Sequence, residues 1–125
     1  MPITVHAYTS LENDEMRSQL ERLYDTSPEF ADGKDAIEQL EQNLAQYTLV
    51  YTAEFNTNLI GAIWRSGQGE SKTLENIVVH PANRGRGVAD RLVSEVCRME
   101  EDKGVKGFEP GCGAIHRCLA HLEKI

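Results

Sequence analysis

Between Ile77 and Leu92 the chain reads Ile-Val-Val-His-Pro-Ala-Asn-Arg-Gly-Arg-Gly-Val-Ala-Asp-Arg-Leu. Arg84 and Arg86 alternate with Gly85 and Gly87, directly before an amphipathic run that opens at Val88 and Ala89. Glycine lets the backbone bend sharply and lets a ligand come close. A helix start leaves N–H groups without partners and carries partial positive charge. A basic glycine turn at such a start is a ready site for phosphate, and guanidinium groups add full charge and forked hydrogen bonds. Just upstream, Glu75 offers a carboxylate that could take a proton from an amine. His80, before Pro81, is a second candidate for that role.

Those residues need a strand before the turn and a helix after it. Ile77, Val78 and Val79 are β-formers, and Pro81 cannot continue a central strand. Strict alternation puts Glu75, Ile77 and Val79 on one side, unless a bulge intervenes. After the turn, Val88, Leu92, Val96 and Met99 share one helical face, closed by Glu100 to Gly104. Toward the N-terminus, Ile3 to Tyr8 alternates as a first strand. Ser10 is the expected cap of a first helix bearing Met16, Leu20, Leu23 and Tyr24, and Thr26-Ser27-Pro28 ends it. Asp32-Gly33 reads as a turn, and Asp35 as the cap of a second helix with Ile37, Leu40 and Leu44. Tyr47 to Phe55 and Leu59 to Arg65 read as two strands joined at Asn56-Thr57-Asn58, because Asn tolerates positive φ. Gly61 inside the second of these marks a place where another group packs close. Trp64, Tyr47 and Tyr51 are expected in the core or lining a pocket. Val105 to Glu109 is the next strand and Cys112 to Ile125 the last helix, with Ile115, Leu119 and Leu122 on one face. The order β-α-α-β-β-β-α-β-α predicts a mixed α/β layer fold in one domain spanning residues 1–125.

Composition narrows the function. Residues 1–54 hold 11 acids and 3 bases, a net −8, and residues 55–125 hold 9 acids and 10 bases, a net +1. An acidic chain lacks the basic footprint of a non-specific nucleic-acid binder. Arg84, Arg86 and Arg91 cluster instead, which suits a small polyanion. The acidic half reads as solvated helix faces. No apolar run reaches membrane-spanning length and no signal pattern opens the chain, so a cytoplasmic protein without membrane contact is expected. The three cysteines, Cys97, Cys112 and Cys118, form no paired framework, which suits a reducing compartment. Cys112, His116, Cys118 and His121 cannot turn to one tetrahedral ion from a single short helix, so no metal is expected. A dinucleotide site fits poorly, because its glycine fingerprint belongs to the first strand–helix unit of a longer parallel sheet.

The spacing Arg84-x-x-Gly87-x-Ala89 after a strand ending in Val-x-Pro resembles the acetyl-CoA-binding signature of the GNAT acyltransferases. The resemblance implies the GNAT fold, with two early helices that shape the acyl-acceptor pocket. It implies that Arg84, Gly85, Arg86, Gly87, Val88 and Ala89 hold the CoA pyrophosphate. Ile77, Val78 and Val79 would offer backbone groups to the pantetheine arm, and amides near Val79 would serve the oxyanion. Glu75 stands where several members place a catalytic carboxylate. The implied function is acetyl-CoA-dependent N-acetyl transfer to an amine, on a small molecule or on a protein N-terminus or lysine. The hairpin from Tyr51 to Ala62 and the segment from Glu75 to Leu92 also resemble the short PanZ family of GNAT-type proteins. That likeness implies the alternative of a non-catalytic acetyl-CoA-binding regulator that promotes maturation of aspartate decarboxylase. The pattern departs from the superfamily at Gly111 to Cys118. There Cys118 takes the place of the usual tyrosine that protonates the CoA thiolate, and no tyrosine follows Tyr51. The usual final two strands are also missing after Ile125. The chain is thus expected to be a short or truncated GNAT domain whose open sheet edge is covered in a homodimer.

Overall fold

The computed structural model describes residues 2–125. Its strands are β1 (Thr4–Tyr8), β2 (Thr48–Phe55), β3 (Asn58–Ser66), β4 (Ser71–Val79) and β5 (Gly107–Pro110). Its helices are α1 (Asp14–Tyr24), α2 (Gly33–Leu44), α3 (Val88–Glu101) and α4 (Gly113–His121). The strands form one mixed sheet in chain order, antiparallel from β1 to β4 and parallel between β4 and β5. This is the α/β architecture expected from the alternation of apolar periods.

Helices cover both faces, so the inner strands bury both sets of alternating side chains. Val50, Ala62, Trp64 and Val78 meet Leu20, Leu23 and Tyr24 of α1 and Ile37 and Leu40 of α2. Tyr51, Ala53, Ile63 and Leu74 meet Leu92, Val93 and Val96 of α3 and Ile115 and Leu119 of α4. Trp64 and Tyr51 are core residues as expected. Tyr47 is not: it precedes β2 with φ +64° and is 66% exposed. The β2–β3 turn uses Asn56 and Thr57 at φ +50° and +67°, the two positive values that a tight hairpin needs. Gly61 faces a crowded neighbourhood, because a Cβ there would lie 3.3 Å from the Val78 carbonyl oxygen and 3.5 Å from Leu92.

The helix starts differ from the expected ones. Leu11 is buried and lies outside the helix, and Asn13, not Ser10, caps α1 by accepting from the Met16 N–H at 2.9 Å. Asp32, not Asp35, caps α2, accepting from the Asp35 N–H at 2.8 Å. Gly33 is the first helical residue rather than part of a free turn. Its N–H donates to the Asp25 carboxylate, and a Cβ there would sit 2.0 Å from the Glu21 carbonyl oxygen. The last helix and β5 are each shorter than expected, and Leu122 packs on the core from beyond α4.

One ionic cluster crosses the α3 face. Glu100 is 1% exposed. The Tyr51 hydroxyl donates to it, Arg65 Nε lies 3.1 Å from its other oxygen, and Lys103 Nζ lies 3.3 Å away. Burial, then the bond to this carboxylate, pushes the Tyr51 phenol well above its usual range. Removing one partner of a buried charge leaves the other uncompensated. Arg65→Met should therefore cost about 3 kcal/mol of stability, and Tyr51→Phe about 1.5–3 kcal/mol. Urea unfolding measures both, and parental midpoints would exclude a structural role for the cluster.

Candidate functional site

The strand that leads into the glycine turn is bent. Ala62 pairs with Val78 and Trp64 with Glu75, so a step of two residues on β3 meets a step of three on β4. The extra residue is accommodated at Asn76, which takes φ +53°, a left-handed conformation that Asn tolerates better than most residues. The buried Tyr24 of α1 donates its hydroxyl to the Asn76 carbonyl oxygen at 2.6 Å and holds that peptide in place. Burial puts the Tyr24 phenol far above its usual range, so it stays a donor. The bulge reverses the alternation. Glu75 faces the α1–α2 side with Trp64, its cross-strand partner. Ile77 and Val79 pack instead on the α3–α4 core. The expectation that Glu75, Ile77 and Val79 share one side is thereby corrected.

The sheet then comes apart. β5 pairs with β4 only from Ser71–Gly107 to Leu74–Pro110, and the Gly111 N–H donates to the Leu74 carbonyl at 2.7 Å as the last link. Beyond it the chain turns away into α4, while β4 runs on to Val79 paired with β3 alone. Gly111 sits at the fork, where a Cβ would meet Glu75 Cβ at 2.7 Å and the Leu74 carbonyl oxygen at 2.8 Å. Five residues of strand edge, from Glu75 to Val79, are left without a neighbouring strand on that side, a span of about 13 Å at roughly 3.3 Å per step. Backbone N–H and C=O groups along such an edge can bind an extended ligand.

At the far end of that edge lies the turn. The Arg84 guanidinium folds back, its Nε donating to the Val79 carbonyl at 3.0 Å. Gly85 and Gly87 take φ +76° and +79°, and no atom lies within 4 Å of where their Cβ would be. Conformation, not crowding, requires glycine here. Gly87 is the N-cap of α3 and has no side chain to occupy the first-turn amides. Those amides are left for a ligand. Val88 is buried and anchors the helix, Ala89 is half-buried, and Arg86 is exposed. Val79, Arg84, Gly85, Gly87 and Ala89 line a hollow of about 170 Å³. The structure thus brings together an anion-ready helix start, a free strand edge and, at its other end, the half-exposed Glu75. His80 is held in the turn by the Ala82 N–H, which donates to its Nδ1 at 3.1 Å.

The C-terminal helix does not bring Cys118 to the fork. Cys118 is buried in the α3–α4 core, and its thiol is pushed up to about 12, chiefly by burial and next by the neighbouring Asp90. Cys97 is pushed up to about 11 for the same first reason. Such thiols are seldom thiolates and make poor nucleophiles. Cys112, part-buried, is the N-cap of α4. Among the described residues no group of three or more His, Cys, Asp or Glu side chains is placed to hold a metal ion. Among the described residues, likewise, no helix is long and apolar enough to cross a membrane. Three contributors escaped the sequence reading: Tyr24, Asn76 and Gly111. Only the glycine after a strand and the lone Asn among β-formers hinted at them.

Comparison with solved structures returns acetyltransferases. A GNAT family acetyltransferase from Staphylococcus aureus superposes with a TM-score of 0.74 at 18% identity, over 90% of this chain and 88% of that one. A ribosomal-protein-alanine N-acetyltransferase from Brucella melitensis biovar Abortus gives 0.73 at 16% identity, over 99% and 90%. An aminoglycoside N-acetyltransferase in complex with CoA gives 0.70 at 18% identity, over 98% and 84%. At these identities the likeness is one of fold. Sequence comparison with curated proteins finds no match. The family model described as "Acetyltransferase (GNAT) domain, PanZ" matches residues 2–108, from β1 through β4, the glycine turn and α3 to the start of β5. On that match the chain belongs to the PanZ family of the GNAT acetyltransferases.

Proposed function

We propose that this chain binds acetyl-CoA along the open edge of β4 and uses it to regulate a partner protein rather than to acetylate an amine. The observation that carries the binding is the fork beyond Leu74 and Gly111, which ends at the Arg84–Ala89 turn. In this reading the first-turn amides of α3 and the Arg84 and Arg86 guanidiniums hold the pyrophosphate. Backbone groups of Ile77, Val78 and Val79 align the pantetheine arm. The thioester then lies near the bulge at Asn76. Regulation is favoured by the PanZ match and by Cys118, whose buried thiol is a poor source of a proton for a leaving thiolate. PanZ resemblance points to the aspartate decarboxylase precursor as the partner.

A second reading is catalysis, and the position of Glu75 favours it. The bulge turns Glu75 toward the α1–α2 side while Ile77 and Val79 face the other. An amine arriving from the α1–α2 side would meet a carboxylate able to take its proton. Strand amides at the bulge, beside Asn76 rather than near Val79, would receive the oxyanion, and solvent would protonate the thiolate. Glu75 acts in this reading as general base.

Isothermal calorimetry with acetyl-CoA tests the shared core. Arg84→Ala removes a charge-assisted contact and should weaken binding about tenfold. Gly87→Ala forces a side chain into the left-handed region, at about 1–2 kcal/mol, and should weaken it similarly. Unchanged affinity in both would remove the turn as the site. Tyr24→Phe deletes the bond to Asn76 and should cost about 1 kcal/mol of stability together with a several-fold loss of acetyl-CoA affinity. Lost stability with full affinity would mean that the bulge holds without the tyrosine. Free-CoA release with a panel of amines separates the two readings. Regulation expects none above background hydrolysis, while amine-dependent release abolished by Glu75→Gln selects the transferase.

A further inference from the structure

We infer that the chain carries a second anion site, separate from the glycine turn, suited to a short aliphatic carboxylate. The cavity lies between the C-terminal end of α1, the turn joining β2 to β3, and the loop after β4. Its volume is about 420 Å³, within the span of about 300–1,000 Å³ usual for small-molecule sites. None of the residues lining it is acidic, although the chain has 20 acids against 13 bases. A cavity lined with one sign of charge selects the charge of what enters.

Its rim is built of donors. Arg22, in the last turn of α1, has no ion pair or hydrogen bond among the described residues. His80 accepts the Ala82 N–H at Nδ1, so the neutral ring must carry its proton on Nε2, which is then free to donate. Asn56 and Asn83 add side-chain amides. The floor is different in kind: Leu23 and Ile60 are 2% and 5% exposed and offer only hydrocarbon. A cationic rim over an apolar floor fits a carboxylate with a short branched tail better than a bare inorganic ion, whose remaining oxygens the floor could not satisfy. Asn83 also borders the hollow beside Arg84, so the two sites adjoin without sharing their guanidiniums.

The test is an amide-shift NMR titration paired with calorimetry on the whole chain, with and without acetyl-CoA. The probe is isovalerate, compared with isoamyl alcohol, isoamylamine and inorganic phosphate. Isovalerate should bind in both states, with shifts centred on Arg22, Asn56 and His80, and the alcohol and amine should not bind. Arg22→Gln should weaken isovalerate about tenfold and leave the Arg84 turn's shifts with acetyl-CoA unchanged. The proposal is overturned by equal binding of the alcohol, by unaltered affinity in Arg22→Gln, or by tighter binding of phosphate than of isovalerate. Competition between isovalerate and acetyl-CoA would overturn it too, because the cavity would then belong to the turn.

Discussion

A sheet that opens between its last two strands must leave backbone groups without strand partners, and the rest of this molecule is arranged around that one defect. Buried peptide groups are almost always hydrogen-bonded, so an unpaired edge persists only where water or a ligand can satisfy it. Here the opening begins beyond the Gly111–Leu74 bond and follows β4 to Val79. Two features hold it open. Gly111 allows the chain to turn away at the fork, where any side chain would strike Glu75 or the Leu74 carbonyl. Asn76 bends β4, and Tyr24 reaches across from α1 to fix the bent peptide. The early helices thus do more than cover the sheet, since one of them sets the shape of the strand that carries the site.

The same defect sorts the chemistry onto two sides. Without the bulge, Glu75 would point the same way as Ile77 and Val79, into the α3–α4 layer. With it, the carboxylate shares a face with Trp64, and the apolar pair packs opposite. A carrier lying on the free edge and a second molecule approaching from α1 and α2 would then meet at β4 from different directions. This holds for an amine acceptor and for a partner protein alike, which is why fold alone does not choose between the two readings.

The turn was legible in the sequence because its demands are local. Gly85 and Gly87 adopt the positive φ that their identity permits, and Gly87 caps α3 with bare amides, as an Arg-Gly-Arg-Gly run before an amphipathic segment implies. The helices were legible for a similar reason, since Leu20, Leu23, Ile37 and Leu40 repeat at helical spacing and are buried. What failed depended on contacts distant in sequence. Counting by twos misplaced Glu75, because one inserted residue reverses every side chain beyond it. The caps slipped by three residues because Leu11 is claimed by the core before α1 begins and Gly33 is pressed against Glu21 and Asp25. Tyr47 looked like a core aromatic, yet its positive φ turns it out to solvent. Cys118 aligned with a catalytic tyrosine by spacing alone, while the packing of α4 on α3 puts it inside.

That last displacement bears most on mechanism. Acyl transfer needs the thiolate to depart, and a thiol pushed up to about 12 by burial is a weak acid that faces the wrong way. A general base at Glu75 would address only the nucleophile's half of the reaction. A regulator has no such requirement, because it needs only that bound acetyl-CoA alter the surface presented to a partner. The free edge of β4 suits that purpose: a ligand lying there would run along the strand past the fork, where β5 no longer pairs with it. Binding energy would then go into ordering the surface rather than into a transition state. The charge pattern agrees with this division, with the bases drawn together at Arg84, Arg86 and Arg91 and the acids spread over the first half of the chain.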